Sequence, residues 1–167
     1  MREVTMRTLI LATAAVLASA TAALATPASV SVSIGPKLQT KAEETLGVRE
    51  VDDLAKTLQT TVEKKLAKTS AYDGARIELV LTDATPNHPT FKQLSDKPGL
   101  SMRSFGIGGA AIEGRAVSPD GKVIPLHYSY TEPDIRWSQR GGIWTDAEDT
   151  FDQFAYELSR GKAPSEH

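Results

Sequence analysis

A chain of 167 residues with a formal net charge of −2 has room for one domain and lacks the clustered basic surface that a nucleic-acid footprint requires. With no cysteine it excludes disulfides, a thiolate zinc site, a cysteine nucleophile and a lipid anchor on an amino-terminal cysteine.

The first residues, MREVTMRTLILATAAVLASATAALATPAS, set Arg2 and Arg7 before an apolar run from Leu9 to Leu17. Small residues follow and end in Ala23-Leu24-Ala25, an A-x-A cleavage pattern, so residues 1–25 read as a signal peptide cut after Ala25. The run is too short for a membrane span, which needs about 20 strongly apolar residues. A soluble periplasmic or secreted product is expected. Leaving out Arg2, Arg7 and Glu3 gives it 17 basic and 20 acidic residues, a net charge of −3.

Residues 26–161 read as one α+β domain and residues 162–167 as a loose tail. Ser29 to Ile34 alternates polar and apolar residues with period two, the mark of a half-buried strand, and Gly35-Pro36 breaks it. From Val48 to Lys68, Val51, Leu54, Ala55, Leu58, Val62 and Leu66 recur at helical spacing. ARIELVLTDA returns to period two, with Ile77, Leu79 and Leu81 on one face. Two further strands flank the Pro-Asp-Gly turn within Ser118–Gly121. On the second of them Ile124, Leu126, Tyr128 and Tyr130 share a face, and Pro125 places that strand at an edge or a bulge. A closing helix spans about Asp146 to Arg160, with Ala147, Phe151, Phe154, Ala155 and Leu158 as its buried stripe and Trp144 in phase with it. Thr145 and Glu148 form a capping-box pattern, and Gly161 marks the stop. The order β-α-β-β-β-α predicts a two-layer sandwich: a mostly antiparallel sheet with both helices on one face.

Gly106, Gly108 and Ala111 spell G-x-G-x-x-A, as in dinucleotide-binding loops. That motif needs a helix opening at its third position, whereas AAIEGRAV leads as a strand into the Pro-Asp-Gly turn. No cofactor is expected.

Two long connections remain. The first, Thr85 to Ser104, has three prolines and no periodic run, with Phe91 and Leu94 on a short helical turn. The second, Thr131 to Trp144, carries Glu132, Asp134, Arg136, Trp137 and Arg140. Tryptophan beside arginine concentrates interface energy. Arg136, Trp137, Arg140, His88 and Phe91 are therefore the candidate partner-binding residues, while Asp134 also reads as an ion-pair partner of Arg136. His88, His127 and Asp83 would make a metal site only if loop and strand converged, and neither H-E-x-x-H nor G-x-S-x-G occurs. No metal ligand or catalytic residue is assigned.

PTFKQLSDKPGLSMRSFGIGGAAIEG, Pro89 to Gly114, with IWTDAEDTFDQFAYELSR, Ile143 to Arg160, resembles a set of small exported bacterial proteins of unknown function over roughly residues 75–160. The element order is also similar to TolB amino-terminal-like envelope domains, which implies assembly or interaction work. The expected function is thus a non-catalytic envelope module that binds a protein or cell-wall component. The alternative is a small hydrolase for a glycan or ester, with its site between the two long connections. A hydrolase calls for a cleft with at least two perturbed acids or histidines.

Overall fold

Alternating polar and apolar residues place four strands in one twisted layer. The computed structural model describes residues 28–137 and 141–164. Its elements are β1 (Ser29–Ile34), α1 (Pro36–Lys41), a π-helical turn (Ala42–Leu46), α2 (Val48–Leu66), β2 (Arg76–Thr85), α3 (Phe91–Asp96), β3 (Gly109–Val117), β4 (Val123–Thr131) and α4 (Thr145–Ser159). The sheet order is β1-β2-β3-β4. β1 runs parallel to β2 in register Val32 to Leu79, and the other two pairings are antiparallel. The protein is an α+β fold with a mixed sheet.

The core lies between the sheet and the helices. Ile77, Leu79, Leu81, Ile112 and Leu126 from the strands meet Val51, Leu58 and Val62 of α2, together with Phe151, Phe154 and Leu158 of α4; all are buried. The Phe154 ring lies 6.1 Å from that of Tyr128 on β4. The opposite sheet face is polar: Glu78 accepts from Arg76 at 2.6 Å and from Arg115 at 2.7 Å. These two guanidinium groups hold the Glu78 carboxyl below its usual range.

Several local expectations are corrected. Gly35-Pro36 ends β1 but also opens α1, because proline at the first helical position gives up only an N–H that had no partner there. Leu38, Ala42 and Leu46 carry that segment into the core. Gly47 then adopts φ 97°, a left-handed turn that lets α2 start in a new direction. The Thr145–Glu148 capping box does not form. Thr145 Oγ1 instead accepts from the Gly142 N–H at 2.8 Å, and α4 begins after Trp144 without a side-chain cap from that residue. The box occurs on α3, where Thr90 accepts from the Gln93 N–H and the Gln93 side chain from the Thr90 N–H. Lys162 to Pro164, expected as loose tail, are docked: Tyr72 Oη donates to the Lys162 carbonyl at 2.8 Å, and the His127 N–H to that of buried Pro164 at 3.1 Å. Residues 1–27, over which a signal peptide is expected, and residues 165–167 lie outside the described residues. No helix among the described residues is long and apolar enough to cross a membrane.

Candidate functional site

The two long connections leave the same end of the sheet, after β2 and after β4, and a buried polar knot ties them together. Asn87, two residues beyond β2, is 1% exposed. Its backbone N–H donates to the Ile143 carbonyl at 2.7 Å, and its carbonyl accepts from the Gly106 N–H at 2.8 Å. Its side-chain oxygen accepts from the Asp146 N–H at 2.9 Å, while its amide nitrogen donates to Asp146 Oδ2 at 2.5 Å. The same Oδ2 takes the Gly108 N–H at 2.9 Å, and Thr150 Oγ1 donates to the Asp146 carbonyl at 2.7 Å. Asp146 stands in the first turn of α4, where a carboxylate is favoured by the helix dipole and the early N–H groups need acceptors. Each buried polar group of this pair thus meets a partner.

Gly108 is small for a visible reason. A Cβ there would lie 2.7 Å from Asn87 Oδ1 and 2.9 Å from the Thr85 carbonyl. Gly108 therefore serves close packing before β3, whereas a Cβ at Gly106 would meet nothing within 4 Å. The Glu132 N–H donates to the Gly108 carbonyl at 3.1 Å, which fastens the start of the second connection to the end of the first.

Above this knot, apolar side chains face water. Phe91 is 67% exposed, Met102 55%, Trp137 54% and Ile135 49%. Leu100, Phe105 and Ile107 are exposed as well. A cavity of about 390 Å³ opens among Pro86, His88, Gln93, Lys97, Phe105 and Ile107. His88 Nδ1 lies 3.0 Å from the Ser104 carbonyl, so that nitrogen carries the proton in the neutral ring; Nε2 is buried without a partner. In the second connection Arg136 grips Asp134 through both Nε and Nη2, as expected from their spacing, and holds that carboxyl below its usual range. Arg140 lies outside the described residues. His127 sits mid-strand on the polar face opposite Glu113, and Asp83 pairs with Lys41 at 2.6 Å, so the structure does not unite them with His88. Among the described residues no group of three or more His, Asp or Glu is set to hold a metal.

A second groove, about 260 Å³, runs beside Phe91 between α2 and α4, lined by Glu50, Asp53, Ile143, Trp144 and Glu148. No spacing rule flags it, because its carboxylates come from two distant helices. Glu50 Oε1 accepts from the Phe91 N–H at 2.9 Å, and its Oε2 is buried and unpaired. Desolvation raises the Glu50 carboxyl above its usual range, and desolvation with the charges of Asp149 and Asp152 does the same for Glu148. A raised folded-state value means the ionised form is disfavoured by folding. Stability from Glu50 is therefore full below its ordinary value of 4.5 and is lost as pH rises through the folded-state value. Glu50→Gln keeps an acceptor for Phe91 and is expected to flatten that decline in urea titrations across the mildly acidic range; an unchanged slope would mean the groove does not desolvate Glu50.

Comparison with protein-family models and with curated proteins finds no match for this chain.

Proposed function

We propose that the chain is an exported soluble envelope domain that acts by binding, and that its partner surface is the loop end of the sheet. One observation carries this reading. Of ten exposed large apolar side chains among the described residues, seven lie between β2 and β3 or between β4 and α4: Phe91, Leu100, Met102, Phe105, Ile107, Ile135 and Trp137. Exposed apolar groups scattered singly need no explanation, but their concentration on one end does. The Asn87–Asp146 knot holds the bases of both connections, so the cost of ordering them is met before a partner arrives. The partner that fits is a protein with an apolar surface of its own. The leader supplies the argument for export.

The glycan or ester hydrolase stands second. The groove with Glu50, Glu148 and Trp144 favours it, since two carboxyls there are raised together. It ranks lower because Glu50 spends Oε1 on Phe91 and seals Oε2 from solvent. Neither oxygen is presented to a substrate.

Trp137→Ala tests the binding reading. The change is expected to alter stability by no more than about 1 kcal/mol, as for other exposed positions, and to abolish capture of the partner from an envelope extract. Unfolding, or capture that survives, contradicts it.

A further inference from the structure

The sheet has two outer strands, and they are treated differently. On β4 the His127 N–H is already given to the Pro164 carbonyl, and Pro125, two residues earlier on the same outward side, has no N–H to offer. Both devices block a further strand. β1 has neither. The Ser29 N–H donates to Ala75 at 3.0 Å and the Gly35 N–H to Leu81 at 2.9 Å, so odd-numbered residues direct their backbone groups at β2. Alternation then points the N–H and C=O of Val30, Val32 and Ile34 away from the sheet. Among the described residues no strand lies beyond them.

We propose that this edge pairs, antiparallel, with β1 of a second copy of the chain. The sequence argues for that occupant. Ser29-Val30-Ser31-Val32-Ser33 reads identically in both directions. A two-fold axis at Ser31 therefore sets Val30 against Val32 of the other copy, each serine against a serine, and no charge anywhere in the seam. The outward groups of Val30 and Val32 become a hydrogen-bonded pair, and the two Ser31 residues a non-hydrogen-bonded one. On the helix face, a groove of about 440 Å³ runs along β1 beneath α2, with Val32, Ile34 and Ala55 in its walls and Asp52 and Lys56 at its rim. Val32 and Ile34 are only half-buried and pack at the margin of the core. The second copy covers them with its own, and antiparallel α2 helices bring Asp52 of one toward Lys56 of the other. The result is a continuous eight-stranded sheet with β4 at each outer edge and its loop ends facing opposite ways.

The chain has no cysteine, which makes the register directly testable. A non-hydrogen-bonded pair holds its Cα atoms about 4.5 Å apart, inside the disulfide range of about 4.4–6.8 Å. Ser31→Cys is expected to oxidise to a covalent dimer far faster than Asp120→Cys, a control in the β3–β4 turn. Wild type should sediment as a dimer, and Val32→Pro, which removes one outward N–H and leaves the β2 ladder intact, should halve that mass with an unchanged circular dichroism spectrum. A wild type that is monomeric or larger than a dimer overturns the proposal. So does a folded Val32→Pro dimer. Should Val32→Pro fail to fold, the crosslinking decides alone: equal rates at positions 31 and 120 overturn it.

Discussion

Phe154→Ala is expected to destabilise the domain by about 3–5 kcal/mol, the range for deleting a fully buried aromatic ring. Phe154 has no exposed surface and sits between Phe151 and Leu158 on the face of α4 that meets β3 and β4. Losing the ring opens a cavity that its rigid neighbours fill only in part, and it removes the tilted contact with Tyr128. Urea titration of purified protein measures the effect. A loss below about 1 kcal/mol would mean that α4 is not docked on the sheet.

Asn87→Ala is the second large effect, about 3 kcal/mol, because it strips the Asp146 carboxylate and the Asp146 N–H of buried partners at once. Its signature differs from that of Phe154→Ala. The knot joins both connections, so amide hydrogen exchange should quicken together around Gly106–Gly108 and Ile143–Asp146 while the centre of the sheet stays protected. Exchange that rises in one connection alone would show that the two are anchored independently.

Both residues show where the sequence is legible. Phe154 belongs to a stripe at period 3.6, and Ile77, Leu79 and Leu81 to one at period two; such patterns report which face is buried, so the core and the layer order follow from them. Asn87 and Asp146 are 59 positions apart and obey no period. Their pairing exists only because β2 ends and α4 begins at the same end of the sheet. Thr145 and Glu148 had the right letters for a cap, yet the hydroxyl found the Gly142 N–H instead, since a local hydrogen bond goes to whichever donor the chain presents. The segment after Gly35 was hidden differently. Leu38, Ala42 and Leu46 repeat every four residues, but the proline ahead of them reads as a breaker until its place at the start of a helix is known.

The candidate site divides the same way. Composition singled out Trp137, Arg136 and Phe91, and the first two stand exposed on one connection while Phe91 opens the short helix of the other. Met102, Phe105 and Ile107 were not separable from ordinary packing residues, because exposure depends on what covers a side chain and not on its type. His88 turned inward to Ser104 for the same reason.

The claim that the loop end is the partner surface is tested most directly by site-specific photocrosslinking in intact cells. A photoreactive aromatic residue is placed in turn at Met102, Ile135 and Trp137, and at Pro125 on the open sheet face as the reference. The account predicts one shared protein adduct from the three loop positions and none from position 125. Adducts from position 125 alone, or no adduct at any loop position, would contradict it.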